Sequence, residues 1–454
     1  MQEIWAEQAL TAEGWRSRVL VTLEDDRRIA EIATDAEPQG DCVGILLPAP
    51  ANLHSHAFQR AMAGMTEKRG PNGQDSFWTW RQLMYRFLDH LTPDDVGAIA
   101  AFVQLEMLEA GYAAVGEFHY LHHQPDGTPY ASLAEMSERV AAAAAQTGIG
   151  LTLLPVLYEQ GGCDGRPLGS GQLRFGNCQE RFGQIFEGAK RAVAMLPDDA
   201  RIGIAPHSLR AVSREGLRFA TELAGTAPIH IHVAEQIAEV EEVIAALGQP
   251  PIEWLLSHNN VAHNWCLIHA TQMQPRETEA LATSGAVAGL CPITESNLGD
   301  GIFDAARYLA NGGRFGVGSD SNIRISLTEE LRTLEYSQRL RDHARSVLTE
   351  PAVSTGRTLF EGAVRGGAQA VNRESGAIAI GKVADLLALD TNRIDLLGKQ
   401  GDEILDSWIF AGDDRMITDV WSAGRHLVSE GRHRERDVIC ENYRRTILCL
   451  RGRL

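Results

Sequence analysis

The hydrophobic pattern changes character twice along the chain. Residues 1–47 alternate apolar and polar positions, as in Ser17-Arg18-Val19-Leu20-Val21-Thr22-Leu23, before a charged turn at Glu24-Asp25-Asp26-Arg27. Period-two alternation predicts half-buried antiparallel strands. The same texture returns over Gly376–Leu389, and Asp419–Arg425 predicts one more strand. Between these ends, short apolar runs alternate with stretches whose apolar residues recur at helical spacing. The strand candidates are Gly44–Asn52, Ala113–Tyr120, Gly150–Tyr158, Arg201–Leu209, Pro228–Ala234, Trp265–Thr271, Ala286–Pro292 and Arg314–Asp320. The helical runs include Pro93–Ala110, Leu133–Thr147, Ile185–Leu196, Arg214–Ala224 and Thr278–Thr283. Successive β-then-α units predict an α/β fold, a (β/α)8 TIM-type barrel whose active site lies at the C-terminal ends of its strands. The two chain ends predict a small β-sandwich domain shared between them. The expected division is 1–47 and 376–454 for the sandwich and 48–375 for the barrel.

Metal-type side chains fall at the predicted strand ends. His54 and His56 lie two apart, so both point to one face of the first strand. His232, His269 and Asp320 close the fifth, sixth and eighth strands. Three imidazoles and a carboxylate held on separate strands, with a position left for water, are what a catalytic metal requires. His230 shares the face of His232 and is expected one layer lower in the barrel. The fourth strand contains no lysine, and Lys190 lies in a helical run. One metal is expected, bound by His54, His56, His232 and Asp320. Zinc is the leading ion and iron the alternative, because imidazole–carboxylate sites accept several divalent ions. Glu235, three residues after His232, is placed to move a proton. Asp320 and His269 are the candidates to take a proton from water.

Composition narrows the partners. A formal charge of −18 repels nucleic acid and anionic membrane surfaces at long range. No window approaches the roughly 20 apolar residues of a membrane helix. Residues 1–10 have no basic segment followed by an apolar core, so no secretory leader is expected. The seven cysteines are scattered, without zinc-ribbon spacing, which predicts free thiols and a cytoplasmic protein.

The order HxH, HxxE, His, Asp resembles that of the amidohydrolase superfamily. Two-metal members of that superfamily carry a bridging lysine on the fourth strand that is absent here, so the resemblance implies one metal. Longer stretches resemble one of its families. Asn52-Leu53-His54-Ser55-His56-Ala57-Phe58-Gln59-Arg60, Phe77-Trp78-Thr79-Trp80-Arg81 and Gly116-Glu117-Phe118-His119-Tyr120 are similar to formimidoylglutamate deiminases. So are Ala205-Pro206-His207-Ser208-Leu209-Arg210, Thr294-Glu295-Ser296-Asn297-Leu298-Gly299-Asp300 and Ser319-Asp320-Ser321-Asn322. The resemblance implies metal-dependent hydrolysis of N-formimino-L-glutamate to N-formyl-L-glutamate and ammonia, in histidine degradation, by a homodimer. It places Gln59, Arg81, Tyr120, His207 and Arg210 around a small anionic, amino-acid-derived substrate. Arg210 suits that role physically, because a guanidinium grips a carboxylate in a bidentate pair. The segment 58–89 is long enough for a lid, or for a dimer contact. Gln272 departs from the family, where histidine is the expected residue. The alternative function is deamination of another formimino amino acid or of an amidine-bearing heterocycle.

Overall fold

The structure is a computed structural model that describes residues 2–67 and 77–453, with side chains from residue 80 onward in the second segment. The chain opens with strands β1 (Gln2–Thr11), β2 (Gly14–Leu23), β3 (Ile29–Ala33) and β4 (Asp41–Pro48). Barrel strands follow: β5 (Ala51–Ser55), β6 (Ala114–His119), β7 (Gly150–Leu157), then β8 (Arg201–Ile202) with β9 (Ala205–Pro206). The barrel continues through β10 (Ile229–Val233), β11 (Trp265–His269), β12 (Val287–Leu290) and β13 (Arg314–Val317). The last strands are β14 (Leu386–Leu389), β15 (Ile417–Ser422), β16 (Arg425–Ser429) and β17 (Arg432–His433).

The two ends of the chain do meet in one sheet, ordered β17-β16-β15-β14-β4-β1-β2-β3. Its central strands are apolar on both faces for a simple reason. Leu46, Leu386 and Ala388 enter the core that the sheet folds around itself, with Val19, Val21 and Trp421. Their neighbours Ile45, Leu47, Leu387 and Leu389 point the other way, into the large core shared with the barrel. The tail is not wholly strand, however: Asp402–Phe410 and Arg436–Arg451 are helices.

The parallel ladders β5-β6-β7-β8 and β10-β11-β12-β13 form the barrel wall. Bridges Ile204↔Ile229 and Ser208↔His232 close one seam, and Ser55↔Asp320 closes the other. Two sequence expectations shift here. The single strand expected at Gly44–Asn52 is two strands in two sheets, broken at Ala49-Pro50, because Pro48 and Pro50 offer no N–H to a ladder. The fourth barrel strand is reduced to two short pieces and isolated bridges around Gly203 and Ile204. Helix boundaries follow the pattern more closely: Arg214–Ala224 forms as expected, and Pro93–Glu109 starts at a Thr92–Asp95 capping box. Among the described residues no helix is long and apolar enough to cross a membrane. All seven cysteines are free thiols.

Candidate active site

The β5 strand ends in the HxH pair, and β13 is pressed against it by glycine. A Cβ at Gly318 would sit 2.7 Å from the backbone nitrogen of His54, so only glycine allows this approach. The N–H of Asp320 donates to the His54 carbonyl (3.0 Å), and the N–H of His56 donates to the Asp320 carbonyl (2.9 Å). A buried side-chain network repeats the connection. Asn52 donates to the Ser319 hydroxyl (2.7 Å), Ser319 to Asn322 (2.6 Å), and Asn322 to the Ser55 hydroxyl (3.1 Å). Three strand ends then turn sharply at the residues that matter: Ala234, His269 and Asp320 have φ of 53°, 70° and 45°. For non-glycine residues that conformation costs on the order of 1–3 kcal/mol each and persists where the surroundings over-determine it.

The result brings His54, His56, His232 and Asp320 together, all buried. The Nε2 atoms of His232 and His54 are 3.1 Å apart, and those of His56 and His232 3.3 Å. Asp320 Oδ1 is 3.4 Å from His54 Nε2 and 3.3 Å from His56 Nε2. Ligands at 2.0–2.1 Å around a tetrahedral ion stand about 3.3–3.4 Å from one another. The four donors thus fit one divalent ion. Their tautomers agree: Nδ1–H of His56 donates to the Phe118 carbonyl (2.9 Å) and Nδ1–H of His232 to the His207 carbonyl (3.1 Å), which leaves Nε2 unprotonated. Burial lowers the basicity of His54, to about 3, and holds His232 well below its ordinary value. Burial alone would raise the Asp320 carboxyl, but the hydrogen bond to His54 and the imidazoles of His56 and His269 hold it well below the carboxylate range.

Among the described residues this set can hold one metal ion, and His269, Cys291 and Glu295 form a second close group beside it. His230 lies lower, as expected, with Nε2–H donated to the Ala370 carbonyl at 2.8 Å. Lys190 is half-exposed on the outer helix Gln179–Val193, 3.8 Å from Glu187.

His269 sits beside this set, within a ring of carboxylates. Its Nε2 is 3.8 Å from Glu235 and 3.9 Å from Asp320 Oδ2, and its Nδ1 is 3.3 Å from Glu295. Burial would lower its pKa, yet Glu235, Glu295 and Asp320 together push it well above the ordinary imidazole value. The Glu235 carboxyl is pushed up to about 7, first by burial and then by Glu239 and Asp320 against the pull of His269. Glu239 accepts the Glu235 backbone N–H at 3.0 Å. Glu295 also accepts the Cys291 N–H at 2.8 Å, so its position is fixed independently of His269. Glu295 carries no local sequence signal of this task, because its partner lies on another strand. Glu117, equally silent in the sequence, anchors the turn after the HxH by accepting the Ala57 N–H at 2.7 Å. Gln272 donates to the Asp300 carbonyl, and Gln236 to the Asp300 side chain, tying three barrel loops together.

A cleft opens over the metal set and is lined by Glu235, His269 and all five residues expected at the substrate: Gln59, Arg81, Tyr120, His207 and Arg210. Gln59 donates to the Tyr120 hydroxyl (2.8 Å), and Arg81 to the Tyr158 hydroxyl (2.9 Å). Burial, with Arg210 and Arg81 nearby, keeps His207 neutral. The helix Phe77–Leu88 roofs the cleft with Trp80, Arg81, Met84 and Tyr85. Trp78, expected beside Trp80 on this segment, lies outside the described side chains. Tyr85, Tyr158 and Phe175 also line the cleft and were missed. Tyr158 had a readable signal, as a polar aromatic at the end of a predicted barrel strand.

Comparison with known proteins places these features in context. The amidohydrolase family model matches residues 45–427, and the model of the formimidoylglutamate deiminase HutF N-terminal domain matches residues 1–41. The chain is 48% identical over 441 residues to formimidoylglutamate deiminase of Pseudomonas aeruginosa, covering 95% of this chain and 96% of that protein. It is 25% identical over 445 residues to 5'-deoxyadenosine deaminase of Methanothermobacter thermautotrophicus, covering 94% and 92%. The crystal structure of an amidohydrolase from Brucella melitensis is similar with a TM-score of 0.95 and 47% identity, over 99% of this chain and 100% of that one.

Proposed function

The chain belongs to the amidohydrolase family and, along its whole length, to the formimidoylglutamate deiminases, and from that premise we propose that it hydrolyses N-formimino-L-glutamate to N-formyl-L-glutamate and ammonia. The observation that supports this reading best is the charge of the cleft. Its lining joins the carboxylates and imidazoles of the metal and proton-transfer set to two guanidiniums, Arg81 and Arg210. A substrate with an amidine head and a dianionic tail matches that combination.

His54, His56, His232 and Asp320 would hold a divalent ion, read as zinc with iron as the alternative, that supplies Lewis acidity and lowers the pKa of water from 15.7 toward about 7. Asp320, through Oδ2, takes a proton as the water oxygen adds to the formimino carbon. His269, kept charged by Glu235, Glu295 and Asp320, stabilises negative charge developing on the attacked group. Glu235 moves a proton to the departing nitrogen as the C–N bond breaks, a role worth about 10²–10⁴-fold in rate. Its pKa near 7 suits a group that both takes and gives a proton at neutral pH. Gln59, Tyr120 and His207 orient the substrate, while Arg210 and Arg81 bind its carboxylates. The roofing helix Phe77–Leu88 acts as a lid that excludes water during turnover. We read the assembly as a homodimer, to be checked by sedimentation, and the compartment as cytoplasm, in keeping with the free thiols.

Aromatic lining from Tyr85, Tyr120, Tyr158 and Phe175 favours a second reading, a heterocycle deaminase. Ammonia release decides between them. Metal-loaded protein is expected to turn over N-formimino-L-glutamate with kcat/KM of about 10⁴ M⁻¹s⁻¹ or more. The aspartate homologue, run alongside, measures the strictness of the preference. No ammonia from either compound, with metal confirmed in the protein, would overturn the substrate assignment. Metal content measured on the isolated protein separates zinc from iron.

A further inference from the structure

Tyr158 follows β7 directly and points its hydroxyl into a hydrogen-bond pattern that determines where its proton goes. The oxygen receives two donors, Arg81 Nη2 at 2.9 Å and Gln172 Nε2 at 2.7 Å. Neither partner can accept in return. A guanidinium has no acceptor. The Gln172 amide is oriented by its other end, because Oε1 accepts the Gly169 N–H at 2.8 Å and so leaves only the nitrogen facing the tyrosine. His207, edge-on at 4.6 Å, has its Nδ1 engaged with the Ser208 hydroxyl at 3.1 Å. The tyrosine is buried and lines the cleft together with Arg81, Arg210, Tyr85 and Phe175. Two donors drawing on the phenol oxygen also polarise its O–H bond and strengthen it as a donor.

We propose that Tyr158 is a further substrate-binding and specificity-determining residue, whose hydroxyl proton is aimed into the cleft to grip a carboxylate beside Arg81 and Arg210. The arrangement is a relay of polarity. Gln172, fixed by Gly169, forbids the hydroxyl to turn back into the protein, so the donor is ready before the ligand arrives. The inference rests on the reading of the substrate as anionic, and it deepens that reading by naming a donor that neither the metal centre nor the proton-transfer groups supply.

Two variants with the zinc-loaded protein test it. Tyr158→Phe removes the proton and should raise KM for N-formimino-L-glutamate about 10–100-fold, the worth of a hydrogen bond to a charged group, with kcat within a few-fold. Gln172→Glu keeps the Gly169 contact and the tyrosine but turns the facing atom into an acceptor. It should draw the proton out of the cleft and raise KM to a similar degree. Binding of glutarate, a simple dicarboxylate, measured by calorimetry gives a readout that needs no turnover, and its Kd should rise in both variants by the same factor. Wild-type Kd values in Tyr158→Phe, or an effect of Tyr158→Phe that Gln172→Glu does not share, would overturn the proposal, the latter by showing that Tyr158 only props Arg81. Glutarate binding that depends on Tyr158 without any ammonia release from the wild type would instead sink the substrate assignment and leave the tyrosine's role standing. A wild type that binds no glutarate overturns the proposal as well.

Discussion

Two clusters of buried charge in this protein follow opposite rules. The first clasps the terminal sheet to the barrel. Arg425 binds both carboxylate oxygens of Asp199 at 2.7 Å, and Arg373 adds a contact to Asp199 at 2.9 Å. Arg373 also holds Asp385 at 2.5 and 2.8 Å, and Asp385 takes the Ala423 N–H at 2.8 Å. The second cluster is the cleft. There the Glu235 carboxylate is 3.8 Å from its nearest imidazole, and the Nε2 atom of His232 lies 3.1 Å and 3.3 Å from those of His54 and His56. In the clasp the Asp199 carboxyl is drawn down to about 2 despite its burial, because Arg425 and Arg373 bind the charged form. In the cleft the Glu235 carboxyl is driven up to about 7. Saturated charge fixes the position of the two sheets, while unsaturated charge marks where an ion and a substrate complete the structure.

The largest break in this comparison comes from the metal set. Asp320→Asn removes the one anionic donor and leaves three neutral imidazoles. It should abolish metal retention, read by metal analysis after dialysis, together with ammonia release. An Asp320→Asn protein that keeps its metal and turns over normally would refute the assignment of the site. Next in size, Glu235→Gln should keep metal and fold but lower kcat by about 10²–10⁴-fold. A rise in KM alone, with kcat intact, would reassign Glu235 to substrate binding.

How much of this was legible in the sequence follows the same division. The donors of the cleft could be read because each sits at the end of an apolar run with its spacing on one face: His54 and His56 two apart, Asp320 after a glycine-flanked strand. The fold was legible for a related reason, since alternation in residues 17–23 and helical periodicity in 214–224 are local signals. Partners that act across the barrel were not. Glu295 matters through His269, on the neighbouring strand, and Gln172 matters through Tyr158, 14 residues away across a turn. The clasp was invisible for the same reason: Asp199, Arg373 and Arg425 look like surface charges until the two chain ends meet. The split at Ala49-Pro50 was readable from its prolines, but the apolar run on either side masked it.

Predictions on the clasp should leave chemistry alone. Asp385→Ala strands the Arg373 guanidinium in a buried site, which should cost about 3–5 kcal/mol of stability in urea unfolding, with kcat and metal content unchanged in the folded protein. Loss of activity in proportion to the loss of stability, at temperatures where the protein is still folded, would show that the two clusters are coupled rather than separate.

The smallest effect is a matter of pH. Asp199 has its pKa lowered in the folded protein to about 2, from an ordinary value of 3.8, and its side chain is only 10% exposed. A depressed carboxyl contributes stability that is fully present above the unfolded value, because there it is charged in both states and bound only in the folded one. That contribution is lost as pH falls from about 4 through the folded value. At about 1.4 kcal/mol per pKa unit it amounts to roughly 2–3 kcal/mol at neutral pH. The stability gap between wild type and Asp199→Asn should therefore be constant from about pH 7 to pH 5 and shrink by roughly half near pH 3. A gap that stays constant down to pH 3 would mean that the aspartate contributes only geometry, and that the clasp's charge is no better matched than the cleft's.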